Sequence, residues 1–283
     1  MEPRLRHRWV LNLTLAVLAG GLLLVLLWRP GQPPAPAPLT GLAANDITRV
    51  VVRQLRQADI ELARDQGHWR LVKPVAARLN ARVLDQLLRL PSAPVLARPD
   101  DAAGLAGFGL NPPRARVFVN HEEIEVGALH PVKGQIYVRH GGRVALVPAT
   151  HAAAATYPWT RLLDHRLLGE GVALAGLQLP GFRLALQNGT WQRHPADQAL
   201  SGDRINGFVQ EWQQATALAV DPMTRKPALG RITLEIRERE QVRRLVLEIV
   251  GYQPEFVLRR RDEGLEYHFP EDVGRRLMKL GGE

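Results

Sequence analysis

The chain has 283 residues, 46% of them hydrophobic and 23% charged, with no cysteine and a net charge of +9. This composition excludes intrinsic disorder, a disulfide-stapled mini-protein, thiolate metal sites, iron–sulfur clusters and a cysteine nucleophile. The length is enough to bury a real core as one large domain, two ordinary ones or an internal duplication.

The first element is an apolar run, Trp9 to Trp28, free of charge and flanked by tryptophans. Its length matches a hydrocarbon core of about 30 Å, so the pattern predicts a transmembrane anchor over 9–28. Arg4, Arg6, His7 and Arg8 precede it, which places residues 1–8 as a cytoplasmic tail and the bulk of the chain in a bacterial periplasm. A cleaved signal peptide is the competing reading; Ala35-Pro-Ala37 is followed by Pro38, a poor residue after a scissile bond. Residues 29–45, rich in proline, read as a semi-rigid stalk.

From Asn45 the chain reads as a duplication, with a lobe over 46–157, a connector over 158–171 and a second lobe over 172–283. Each lobe opens with two apolar-alternating runs ending in a tryptophan, Ile47–Leu55 and Ile60–Trp69, then Val172–Leu179 and Phe182–Trp191. Gln66-Gly67 and Asn188-Gly189 stand at matching places, as hairpin turns. A short helix follows in each, over 80–90 with Asn80 as N-cap and over 203–217 with Ser201 or Asp203 as N-cap. Each lobe then returns to strands, at 116–120, 123–126, 135–139 and 143–147, and at 231–236, 243–249, 255–259 and 266–269. A proline, Pro148 or Pro270, introduces a final helical segment. The expected fold class is α+β: a transmembrane helix, then a mostly antiparallel sheet-plus-helix body in two similar lobes.

Three short patterns carry a resemblance: Trp69-Arg-Leu-Val-Lys-Pro74, Phe108-Gly-Leu-Asn-Pro-Pro113 and Asp164-His-Arg-Leu-Leu168. Together they resemble W-x-L-x-x-P, aromatic-G-L-D/N-x-P and R-D-K/R-x-L-L elements of a bacterial domain-of-unknown-function family. Its members are single-pass, periplasm-facing proteins often encoded beside gliding-motility-type ABC transporter components. Leu163 stands where that connector pattern has arginine. The resemblance implies an accessory role at an ABC-type permease and ATPase complex, and it brings no catalytic residue. Each motif also has a structural explanation: turn formation around Leu110, and core packing for Trp69 and Trp191.

Chemistry is sparse. No histidine pair has zinc spacing, and His121, Glu122 and Glu123 would alternate across a strand rather than converge. Ser92 and Ser201 are the only serines, and neither lies in G-x-S-x-G; Ser201 with His194 and Asp197 is a weak triad candidate. Glu123 with Glu125, or Asp100 with Asp101, are carboxylate pairs of the kind that cleave glycans, but they read as solvated groups. Gly104–Gly109 runs into prolines and offers no phosphate cradle. Arg243-Arg244, Arg259-Arg-Arg261, Arg275-Arg276 and Lys279 are interleaved with carboxylates and read as a salt-bridged surface, with no nucleic-acid partner expected. No catalytic, cofactor-binding or metal residue is assigned. The expectation is a non-enzymatic, membrane-anchored periplasmic accessory protein. The alternatives are a binding module for an envelope lipid or glycan and, more weakly, a hydrolase acting on envelope polymers.

Overall fold

The computed structural model describes residues 3–27, 36–99, 104–239 and 241–281. The chain divides into two compact units, Met1–Ala37 and Pro38–Glu283. The first contains α1 (Pro3–Leu27). Among the described residues no helix is long and apolar enough to cross a membrane. The expected transmembrane, single-pass anchor over 9–28 is corrected accordingly, and with it the inner-membrane placement with a cytoplasmic N-terminus. Trp28, the expected end of the anchor, lies outside the described residues. The helix begins at Pro3, so its first turns carry Arg4, Arg6 and Arg8, and Asn12 and Thr14 interrupt the apolar residues that follow.

The second unit starts earlier than the expected end of the stalk. Leu39 N donates to Ala93 O at 2.9 Å and Thr40 N to Pro91 O at 2.8 Å, and both side chains are buried. Pro30 to Ala35 lie outside the described residues.

The first half contains β1 (Arg49–Gln54), β2 (Ile60–Asp65), β3 (His68–Lys73) and β4 (Ala77–Arg78), then α2 (Ala81–Leu88) and α3 (Gly104–Gly107). It continues through β5 (Ala115–Val119), β6 (Glu122–Leu129), β7 (Gln135–His140), β8 (Arg143–Pro148) and α4 (Ala149–Ala152). The second half contains β9 (Val172–Leu179), β10 (Phe182–Gln187), β11 (Thr190–His194), α5 (Gly202–Gln214) and β12 (Ala219–Pro222). Its remaining elements are β13 (Gly230–Glu238), β14 (Gln241–Gly251), β15 (Glu255–Arg260), β16 (Leu265–Pro270) and α6 (Glu271–Met278).

These strands form two 8-stranded sheets, ordered β4-β3-β2-β1-β5-β6-β7-β8 and β11-β10-β9-β13-β14-β15-β16-β12. Every strand pair is antiparallel. The α+β class is therefore corrected: the body is two antiparallel sheets with few helices. The expected helix over 203–217 ends at Gln214, and the one over 80–90 spans only Ala81–Leu88. The two-lobe organisation is consistent with the paired sheets.

Local chemistry explains the hairpins. Gln66-Gly67, Gly141-Gly142 and Asn188-Gly189 all adopt positive φ at both positions, the type I′ geometry that matches strand twist. Asn80 Oδ1 accepts from the N–H groups of Arg82 and Val83, capping α2, and Ser201 Oγ accepts from Arg204 N, capping α5.

One continuous apolar core runs through both sheets, and both Trp69 and Trp191 pack against its margin. Trp212 of α5 is fully buried, and its indole N–H donates to Leu277 O of α6 at 2.9 Å. Between the sheets the connector bonds to each in turn: Asn80 N to Leu162 O, Asp164 N to Arg78 O, then Leu167 N to Ala215 O. The Asp164–Leu168 motif is thus a strap. Its Asp164 carboxylate and Leu167 carbonyl both accept from Arg78, which also reaches Glu263 and Tyr267 beside β16.

Candidate functional site

The faces of the two sheets that point away from the core are covered differently. In the first sheet Phe108 and Leu110 fold over β7 and β8, forming a small second core with Val144 and Tyr137. The Phe108 and Tyr137 rings lie 4.7 Å apart. Gly109 turns the chain at φ +65°, and Gly127 lets the Phe108 carbonyl approach β6 so closely that any Cβ would collide with it. The Phe108–Pro113 motif therefore serves as an apolar cover.

In the second sheet the segment after β12 covers the corresponding strands with polar chemistry. Register aligns Arg231, Glu248, Arg259 and Glu266 as one cross-strand rung. Arg259 is 3% exposed, and its guanidinium donates to Glu248, Glu266 and Lys226 O. Glu266 also accepts from Thr224 N and Oγ1. Burial pushes the Glu248 carboxyl up, but hydrogen bonds from Arg261 and Arg259 outweigh it and hold the group below the usual carboxylate range. Glu266 is lowered in the same way: burial opposes, while Thr224 and Arg259 prevail.

This corrects one expectation. Arg259 and Arg260, read as part of a solvated basic run, are buried, and Arg260 donates to Leu167 O at 2.8 Å. Tyr267, beside them, is pushed upward by burial and by Glu263, against the opposing charges of Arg78 and Arg260. These groups are mutually neutralised structural elements.

The remaining exposed stretch, over β1, β2, β3 and β5, forms a groove. Arg49, Val51, Arg53, Asp59, Glu61, Lys73, Phe118 and Asn120 line a cavity of about 270 Å³. Alternation along β1 sends Val50 and Val52 into the core and Arg49, Val51 and Arg53 outward. Val51 and Phe118 are direct cross-strand partners and make the apolar floor. Around it Glu61 accepts from Arg49 Nη2 at 2.9 Å and Lys73 Nζ at 3.1 Å, while Arg53 pairs with Asp59 at 3.2 Å. The Arg53 guanidinium also sits 5.0 Å from the Phe118 ring centroid. Glu61 is held below its ordinary value chiefly by the Lys73 hydrogen bond. Asn120 accepts from Thr48 N and Arg49 N and donates to Asp46 O, fixing the entry to β1.

The carboxylates thus orient three cations whose side chains remain 59–63% exposed. Three cations against two carboxylates leave the groove one positive charge in excess over its apolar floor. It contains no unpaired nucleophile or base. Among the described residues, Glu238, Arg239, Gln241 and Arg243 bound a wider depression at the β13–β14 turn.

Of the residues weighed from sequence, Glu123 and Glu125 meet on one partner, Arg116, at 4.0 and 3.4 Å. Ser201 is committed to its cap and Asp197 Oδ1 accepts from Ala199 N within its own loop. Among the described residues no cluster of three potential metal ligands exists. Glu125 is buried and pairs with Arg139 and Arg116, while Glu123 is exposed. Asp100 and Asp101 lie outside the described residues. The groove was missed because its residues come from four strands between 49 and 120, and only the register brings them together. No known family model, curated protein or solved structure matches the chain.

Proposed function

We propose that the protein is a non-enzymatic interaction protein whose groove on the first sheet receives an acidic, partly apolar segment of a partner protein. The observation that carries this reading is the groove itself: Arg49, Arg53 and Lys73, held by carboxylates around Val51 and Phe118. Fixed cations with an apolar floor favour partner choice and encounter rate over tight nonspecific binding. The rigid sheet keeps the cations in place before binding, which lowers the ordering cost. The motif resemblance makes an ABC-type transport complex the first partner class to test.

The experiment is a crosslinking pull-down from native extracts with the full-length chain and with the Arg53→Glu/Lys73→Glu variant. The reading expects a permease or ATPase recovered with wild type and lost, about tenfold or more, with the variant. Equal recovery by both chains overturns the groove as the contact surface. Recovery of a tightly bound lipid or glycan instead, lost in the variant, replaces the protein partner with a small anionic ligand.

A further inference from the structure

The two sheets have four edges, and three are closed. β4 is two residues long and its neighbour Leu79 bridges to Leu163. The outer edge of β8 is bonded by Leu96 N to Leu146 O and by Leu146 N to Ala97 O. β12 is four residues long and ends at Pro222, which has no N–H to offer. The fourth edge is β11, which pairs only with β10.

Sequence order makes β11 the counterpart of β3. Each follows a type I′ turn and each carries its lobe's tryptophan at the second position. In the first sheet β4 covers that edge through Arg70↔Arg78 and Leu71↔Ala77. Among the described residues no strand does so in the second. Register settles which groups are left over. The turn at Asn188-Gly189 makes Gln187↔Thr190 a hydrogen-bonded pair, so Ala185↔Gln192 and Arg183↔His194 are also bonded pairs. The N–H and C=O of Trp191 and Arg193 therefore point away from β10. Among the described residues, no further backbone hydrogen bond involves either one.

We infer that this edge pairs with the same edge of a second copy of the chain, joining two second sheets into one continuous sheet about a twofold axis. The occupant follows from the strand's own chemistry. Gln192 is the midpoint of Thr190–His194, so the antiparallel register that uses the whole strand is centred on it. In that register Trp191 and Arg193 of one copy exchange both backbone bonds with Arg193 and Trp191 of the other. Arg193, whose guanidinium lies 5.2 Å over the Phe182 ring of its own chain and donates to Pro195 O, stands opposite Trp191 of the other copy, and Thr190 faces His194. No like charges stand opposite one another. The strand is its own complement, as a closed isologous interface requires.

The absence of cysteine gives a clean test. In the full-length chain, Gln192→Cys introduces a unique thiol facing its own copy at a non-hydrogen-bonded position. Cα atoms there lie about 4.5 Å apart, within disulfide range. Thr190→Cys sits one strand-half away, with its symmetry mate about 14 Å distant at 3.4 Å per residue. The inference expects a dimer by sedimentation and rapid disulfide formation with Gln192→Cys but not with Thr190→Cys. It also expects Arg193→Pro, which removes the outward N–H, to give a folded monomer by circular dichroism, while Arg193→Ala, which removes the same contacts to Phe182 and Pro195 O but keeps that N–H, stays dimeric. A wild-type chain that stays monomeric at about 100 µM, an affinity limit of roughly 5 kcal/mol, overturns the inference. So does a dimer in which both cysteines crosslink equally, because another surface, such as the exposed apolar residues of α1, then drives assembly.

Discussion

The same outward face is finished in two different ways in the two halves. Above β7 and β8 the first sheet is sealed by Phe108 and Leu110 against Val144 and Tyr137. Above β15 and β16 the second is sealed by an ion-paired rung, with Thr224 and Lys226 closing over Arg259. The uncovered part of the face diverges as well. Register aligns Glu61, Val51, Phe118 and Glu123 across the first sheet, and Arg183, Gln178, Thr233 and Val246 across the second. One rung builds an apolar floor with a carboxylate anchor; the other has neither. The core-facing positions of both sheets are apolar, where packing is constrained, and the outer faces differ.

Register also aligns Arg53, Arg116, Glu125 and Arg139 across the first sheet, and removing one guanidinium from this rung and one from the Arg259 rung sharpens the contrast most. Arg259→Ala leaves Glu248 and Glu266 buried without their shared partner and should cost about 3–5 kcal/mol. Arg139→Ala acts on a side chain that is 32% exposed, and the cost should be about 1 kcal/mol. Urea unfolding of the two variants measures the difference, and equal losses would break the distinction between a sealed and an open rung.

Arg78→Ala removes the donor that ties the first sheet to the connector and to Glu263 and Tyr267. With the side chain partly exposed, about 2–3 kcal/mol should be lost. The two halves should then melt at separate temperatures in calorimetry if this clamp couples them. Gly127→Ala probes the apolar cover in the same way. The added methyl displaces the Phe108 carbonyl, at a cost of about 1–3 kcal/mol, and proteolysis should quicken within 104–113.

The smallest effect concerns acid. Folding lowers the Glu248 carboxyl below its ordinary value of 4.5, so its contribution is complete above that pH and is lost as pH falls through the folded value. Glu248→Gln should therefore be less stable than wild type at pH 7 and show a shallower stability decline below about pH 4.5. Urea midpoints across pH 3–7 read this directly.

Much of the body was legible in the sequence because its signals are local. Asn188-Gly189 dictates a turn whatever surrounds it, and the alternation in Arg231–Ile236 reports a strand with one face buried. The remainder depends on partners distant in the chain. β4 and β12 are too short to show a period, and they exist because β3 and β16 offer edges. Arg259 and Arg260 sit in a run that reads as solvated, yet Glu248, Glu266 and Leu167 O arrive from elsewhere to neutralise them. The groove follows the same rule: no window of sequence contains both Val51 and Phe118.

The most direct test of the first-sheet groove as the contact surface is photo-crosslinking from two register-equivalent positions. A photoreactive residue would replace Val51 in one full-length chain and Gln178 in another, each expressed in the native host. The account predicts a crosslinked partner protein from position 51 and none from position 178. Crosslinks from 178 alone, or equal crosslinks from both, would contradict it.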